Sequence, residues 1–214
     1  MERALLRPVV RGRHAARWNP LTSGEWLFWT HDAAGEPLPA LPEHGGRWLS
    51  RWRRALIARS DVRHGVPWWS LFRAAGARPD RARLVWADVS RGPRAFVQLP
   101  GDETVALNSC YVLPATTPED ALALAALLNS PLAAAWVHVL AEPARGGFRR
   151  CLAWTMALLP IPNDWARSRP SLAALGAAGL AGDDPSDGEL LDAALRAYRL
   201  RPPSIAPLLT WVGR

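Results

Sequence analysis

The 214-residue chain contains no lysine, and all 26 of its basic residues are arginine. Reactions that need a catalytic lysine are therefore excluded, among them those of P-loop NTPases, protein kinases, Schiff-base enzymes and the usual nuclease site of acids and a lysine. Only Cys110 and Cys151 are present, which excludes a disulfide scaffold and a four-cysteine zinc site and favours a reducing cytoplasm. No apolar run approaches the roughly 20 residues of a membrane span, so we expect no membrane contact.

Motifs for metal binding, nucleophilic catalysis and cofactor binding are also missing. The five histidines have no HxxxH spacing, and no metal site is expected from them: His14, His31, His44, His64 and His138. The chain has no GxSxG and no GxGxxG. These absences favour a binding module over an enzyme.

Charge and tryptophan are concentrated in the first part of the chain. Residues 1–94 hold 17 arginines against 8 acids, a net charge of +9, and eight of the twelve tryptophans. Residues 95–214 carry a net charge of −2. Guanidinium groups neutralise phosphates and indoles stack on bases, so this composition suits a nucleic-acid surface, or else a solvated basic face over core tryptophans.

Strands are expected where β-branched and aromatic residues alternate or cluster. Residues 82–90 and 93–99 read as two strands joined at Arg91-Gly92, and residues 104–107 and 110–114 would continue that sheet. Residues 3–17, interrupted by Pro8, read as an edge strand or an extended segment. Residues 25–31 are also strand-like.

Helices are expected at 47–59, 118–128, 131–141 and 186–200. Thr117 or Thr116 can cap the second helix, Ser130 the third and Ser186 the last. Residues 164–185, rich in Ala, Gly, Pro and Asp, read as a surface linker. The predicted fold class is therefore α/β or α+β, with a mixed, largely antiparallel sheet and flanking helices.

Three short motifs follow one another along the chain, and their order is informative. Leu-Leu-Asn-Ser-Pro-Leu at 127–132 and Leu-Pro-Ile-Pro at 159–162 follow an Arg-Gly-Arg at 11–13. Over about residues 3–162 the chain resembles the C-terminal target-recognition domain of TaqI-like N6-adenine DNA methyltransferases and of combined restriction–modification enzymes. ELLDAALRAYRL, at 189–200, resembles the short helix that often closes such chains.

This resemblance implies sequence-specific recognition of double-stranded DNA in a restriction–modification or phage-defence system. It implies a recognition domain at 1–163, a linker at 164–185 and a helical tail at 186–214. The domain that binds S-adenosylmethionine and flips the adenine would precede Met1, so we expect no catalysis by this chain alone. A separate methyltransferase chain is an expected partner.

Arginine is the expected base-reading and phosphate-holding residue, because its planar fork matches guanine edges and phosphate oxygens. The candidates for DNA contact are Arg73, Arg78, Arg91, Arg94, Arg145, Arg149 and Arg150, with Arg11, Arg13 and Arg17 expected to hold phosphates. Two other functions stay open. One is a small enzyme with a site around His138 and Glu142 or Asp88, and the other is a protein–protein adaptor for a separate catalytic chain.

Overall fold

The structure, a computed structural model, describes residues 2–62 and 65–212, without the side chains of 211 and 212. His64 lies outside the described residues. The strands are β1 (Leu6–Val10), β2 (Trp26–Phe28), β3 (Arg83–Ala87), β4 (Val89–Ser90), β5 (Ala95–Gln98), β6 (Val105–Ala106), β7 (Cys110–Pro114) and β8 (Arg149–Arg150). The helices are α1 (Glu43–Leu49), α2 (Arg53–Ile57), α3 (Pro118–Leu128), α4 (Pro131–Leu140), α5 (Ala153–Ala157), α6 (Trp165–Ala181), α7 (Asp187–Tyr198) and α8 (Pro202–Val212). The predicted α+β class is confirmed.

An antiparallel sheet in the order β5-β3-β7 forms the centre of the fold. Leu84 pairs with Val97 on one side and with Leu113 on the other, which confirms two of the predicted neighbours. Every residue of β3 and β5 is buried, because one face of these strands packs against α3 and the other against Val10 and Ala15. The predicted strand at 82–90 does not continue as one strand to a junction at Arg91-Gly92. Its last residues form β4, which leaves this sheet and pairs antiparallel with β8 instead.

A second small sheet has the order β2-β1-β6. It corrects two predictions: β1 is the middle strand rather than an edge, and β6 does not continue the central sheet. β6 runs parallel to β1, with Val9 opposite Val105. Pro8 has no amide hydrogen to donate, and β6 begins to pair only at the residue after it, so no ladder bond is lost there.

The predicted helices at 118–128 and 131–141 are confirmed as α3 and α4. Thr117 and Ser130 each cap a helix that begins with proline, and each hydroxyl accepts a backbone amide hydrogen from its helix. Between the helices, the buried amide of Asn129 bonds both backbone groups of Ala95, at 2.9 Å each. This pair of bonds fixes the helix junction to β5.

The helix predicted at 47–59 is interrupted. α1 and α2 are separated by a 3₁₀ turn at Ser50–Trp52, and no residue from Ser50 to Ile57 is buried. Because most helical stability in proteins comes from packing of an apolar face, a segment without a buried face has little to keep it regular.

The prediction of a surface linker at 164–185 is wrong about the structure of this segment, because most of it forms helix α6. Its small residues allow close packing: a Cβ added to Gly176 would lie 2.2 Å from the carbonyl oxygen of Leu122 in α3. One continuous core runs from the central sheet through α3 and α6 to α7, which begins with the predicted cap at Ser186 and adds a capping box with Glu189. The functional division of the chain stays a prediction.

No single helix among the described residues is long and apolar enough to cross a membrane. By length and composition alone, one bent pair could do so: α3 and α4, which meet at 71°.

Replacing Asn129 with alanine is expected to destabilise the chain by about 1–3 kcal/mol, because the buried N–H of Ala95 would lose its partner and its C=O would keep only the bond from the amide of Trp18. Urea unfolding of the variant and the wild type would measure this difference. Thr117→Ala is the control, since removal of an N-cap costs about 1 kcal/mol. An Asn129→Ala loss no larger than the Thr117→Ala loss would contradict the role of this clamp.

Candidate nucleic-acid interface

The short ladder of β4 and β8 brings together arginines that are far apart in sequence. Ser90 pairs with Arg149 and Val89 with Arg150. The amide of Cys151 donates to the carbonyl of Asp88 at 2.8 Å and extends the pairing. Arg91, directly after β4, therefore lies beside the chain that enters β8.

The loop before β8 is closed at its base and has no side chain at its tip. Pro143 is bridged to Arg149, and the amide of Ala144 donates to the carbonyl of Phe148 at 2.8 Å. Gly146 and Gly147 both have φ of 77°, which other residues adopt only with strain. The structure leaves open space where a Cβ of Gly147 would be, so a ligand can approach the main chain closely.

Five of the predicted arginines belong to this region. Arg91, Arg94, Arg145 and Arg150 are exposed and Arg149 is half-buried. We call Arg91, Arg94, Arg145, Arg149 and Arg150 the basic edge. The guanidinium of Arg91 lies 5.5 Å from the ring centre of Phe148, a cation–π contact that holds it beside the loop. Sequence reasoning missed Phe148, although an aromatic residue directly after Gly-Gly was the available signal.

Acids offset little of this charge. Glu142 lies 4.0 Å from Arg150, at the limit of an ion pair, and both side chains are more than half exposed. Such exposed pairs contribute little in water. Arg94 and Arg145 make no hydrogen bond or ion pair with the residues that the structure describes, so their guanidinium groups are available to a ligand.

Arg149 is the member of the basic edge that is held in place. Its Nη2 lies 2.8 Å from Nε2 of His138 in α4, and its Nη1 donates to the carbonyl of Ala141 at 3.4 Å. Because arginine can only donate, Nε2 of His138 accepts, and the ring is neutral in this arrangement. Burial and the charge of Arg149 lower the pKa of His138 below its usual value.

The other predicted arginines are engaged elsewhere. Arg11 and Arg13 share Glu25, with ion-pair distances of 2.7 and 2.9 Å. Arg17 bonds Asp187 at 2.6 Å and the carbonyl of Pro185 at 2.6 Å.

Arg78 forms a two-pronged pair with Asp80, at 3.1 and 2.5 Å. Arg73, at a left-handed backbone position, packs over Phe72. DNA contact by Arg73, Arg78, Arg11, Arg13 and Arg17 stays a prediction, and the structure does not gather them on the basic edge.

The residues of the enzyme alternative lie near the same ladder. Asp88 precedes β4, the amide of Arg150 donates to the carbonyl of Glu142 at 3.0 Å, and His138 contacts Arg149. None of the three lines the apolar cavity of about 270 Å³ between α3, α4 and α8. That cavity is lined mainly by leucines, with Trp136 and Tyr198, and its chemistry suits an apolar group.

Burial makes both thiols poor nucleophiles, raising the pKa of Cys110 to about 12 and that of Cys151 above its usual value. Within residues 2–62 and 65–212, no three His, Cys, Asp or Glu side chains are grouped so that they could hold a metal ion.

Replacing His138 with glutamine keeps an acceptor for Arg149 but removes the titration. Since the pKa of His138 is lowered on folding, its contribution to stability is present above about pH 6.5 and is lost as the pH falls through the lower folded value. We expect the wild type to lose more stability than His138→Gln between about pH 7.5 and 5.5, measured by urea unfolding. Equal losses would contradict this assignment, because all other titrating groups are shared.

Comparison with known proteins gives a likeness in structure but none in sequence. No family model matches the chain, and no curated protein matches it in sequence. Among solved structures, the Type IIL restriction–modification enzyme MmeI, determined in complex with DNA, matches with a TM-score of 0.53 and 17% sequence identity. The match covers 99% of this chain and 30% of that enzyme, so the chain spans less than a third of its length. This chain therefore has a fold similar to one found within a restriction–modification enzyme.

Proposed function

We propose that the chain is a sequence-specific DNA recognition module of a restriction–modification or related phage-defence adenine-N6 methyltransferase. The observation that carries the proposal is the basic edge, where the pairing of β4 with β8 brings Arg91, and Arg94 three residues after it, near the segment of Arg145, Arg149 and Arg150, whose loop has a bare glycine tip. The structural likeness to an enzyme determined with DNA supports it. Duplex DNA is the proposed ligand.

The arginines of the basic edge have different roles in this proposal. Arg145 and Arg94 bond no other residue that the structure describes, so each can present its fork to O6 and N7 of a guanine in the major groove. Arg149 is fixed by His138 and Ala141, so its donors are ordered before DNA arrives, which lowers the entropy lost on binding. Arg150 and Arg91 are placed to hold the phosphates beside that groove.

The two glycines at the tip of the loop also suit contact with DNA. A side chain at Gly146 or Gly147 would widen the loop, whereas bare main chain can lie against base edges or sugars. The cross-loop bond from Ala144 to Phe148 keeps the tip narrow. Arg145, directly before the two glycines, would then enter the groove together with the tip of the loop.

S-adenosylmethionine belongs, in this proposal, to a separate methyltransferase chain or domain. The glycine pairs of this chain do not form a strand-to-helix turn for that cofactor. Gly45 and Gly46 lie inside α1, and Gly146 and Gly147 form the exposed loop before β8. We therefore derive no methyl-transfer step from this chain.

An adaptor role is a second candidate, and it is compatible with the first. Five large apolar side chains of α4, α5 and the segment after α5 are exposed: Trp136, Val139, Trp154, Leu158 and Ile161. Trp136 and Ile161 line the same apolar cavity, and an exposed apolar patch of this kind is typical of surfaces that contact another protein. A separate methyltransferase chain would be the partner in that case.

Selection from a randomised duplex pool, at about 50 and 200 mM salt, tests DNA recognition directly. The wild type is expected to enrich one motif and to lose affinity as the salt concentration rises, because bound arginines release counterions. Failure to bind at the lower salt concentration would overturn the proposal. Binding without an enriched motif would leave phosphate contact alone and would contradict sequence recognition by this chain.

Arg145→Ala is expected to relax the motif at one base pair, with a loss of about 1–3 kcal/mol of discrimination there. The same selection, followed by competition binding with single-base variants, measures this loss. Arg196→Ala is the matched control, since Arg196 is exposed on α7 outside the basic edge. If Arg145→Ala keeps the full motif, the loop does not read a base.

A further inference from the structure

The helical segment from Arg47 to Arg59 has a charged face that the proposed base-reading surface does not use. It holds five arginines: Arg47, Arg51, Arg53, Arg54 and Arg59. Arg47 is paired with Glu43 at 2.5 Å, and Arg59 with Asp61 at 3.4 Å. Arg51 and Arg54 form no hydrogen bond or ion pair with the described part of the chain.

The remaining arginine, Arg53, also has no carboxylate partner in the described ranges 2–62 and 65–212. Its guanidinium lies 5.7 Å from the ring centre of Trp68. Three positive charges are therefore uncompensated within four residues. Such a concentration of like charge is unfavourable in isolation, and a polyanion bound to this face would relieve it.

The segment is anchored at its start and exposed along the 3₁₀ turn and α2. The carboxylate of Glu2 accepts the amides of His44 and Gly45 at 3.0 and 2.8 Å, which fixes the start of α1. The ring of Trp48 packs on Phe28, with centroids 5.4 Å apart. Beyond that point no residue of the 3₁₀ turn or of α2 is buried, so the arginine face is presented on a fixed base.

The apolar residues of this face do not form the centre of a protein interface. Trp52 and Ile57 are about half exposed, but Arg53 and Arg54 lie between them in sequence. Protein interfaces have apolar centres depleted of charge and a polar rim. Here the charges are at the centre, which favours a partner with regularly spaced negative charge and no need for an apolar pocket.

We propose that Arg51, Arg53 and Arg54 form a second DNA contact, which holds the phosphate backbone and reads no bases. This inference rests on the proposed function and extends it. Arg51 and Arg54 are three residues apart, so their Cβ atoms lie about one helical turn apart and their long side chains can reach neighbouring phosphates of one strand. The ring of Trp52 lies tilted against that of Trp48, with centroids 4.5 Å apart, and is held where it can pack on a sugar.

The test uses the full chain and a duplex that carries its enriched motif. The variant Arg51→Ala/Arg54→Ala keeps good helix formers at two exposed positions, so folding is expected to be unchanged, as circular dichroism would show. The matched control is Arg167→Ala/Arg196→Ala, which removes the same charge from two exposed arginines of α6 and α7.

Dissociation constants are measured as a function of salt concentration. Removal of two phosphate contacts is expected to lower the slope of log K against log salt by about 2 and to weaken binding roughly tenfold near physiological salt. The enriched motif is expected to be unchanged, and Arg51→Lys/Arg54→Lys is expected to restore the slope. The control pair is expected to leave the slope close to that of the wild type.

Failure of the proposed function and failure of the second DNA contact give different results. If the wild type binds no DNA, the proposed function fails and this contact with it. If the wild type selects its motif but Arg51→Ala/Arg54→Ala keeps the full salt slope, the second contact is overturned while recognition stands, and the face is left to an acidic protein. An equal loss of slope in the control pair also overturns it, because net charge alone would then explain the effect.

Discussion

Trp18 joins the beginning of the chain to its last third, and the packing of the central sheet against α6 depends on it. Its backbone amide donates to Ala95 at 3.0 Å, and its ring nitrogen donates to Asp184 at 2.8 Å. A Cβ at Gly179 would lie 2.2 Å from the ring, so only glycine lets α6 pack this closely. The central sheet is thereby fixed to α6, and β4 and the basic edge continue directly from that sheet.

Part of the charge asymmetry of the sequence is compensated by ion pairs inside the fold. Arg17, beside Trp18, is paired with Asp187 at the start of α7 and lies near Asp184. Acids of the less basic part of the chain thus compensate an arginine of the basic part. Among the described residues, Arg94 and Arg145 of the basic edge and Arg53 and Arg54 of α2 have no carboxylate partner, so their charge is available to a polyanion.

Local signals in the sequence predict some elements well and others poorly. α3, α4 and α7 were predictable because capping residues and prolines act within one turn of the chain. α6 was not, since its alanines and glycines are typical of a linker until Leu122 and Trp18 are known to lie against them. The parallel pairing of β6 with β1 likewise depends on contacts about a hundred residues apart. For the site, the arginines near β4 and β8 could be suggested from loops, but the internal partners of Arg11 and Arg17 could not.

The contact between Trp18 and Gly179 has a consequence for synthesis on the ribosome. Roughly 160 residues must be added after Trp18 emerges before the helix that covers it exists. At about 5–20 residues per second this takes on the order of ten to thirty seconds. During that time the nascent chain carries its most basic stretch with an uncovered indole. Slow translation would therefore lengthen the period in which RNA or a chaperone competes with the native partner for this segment.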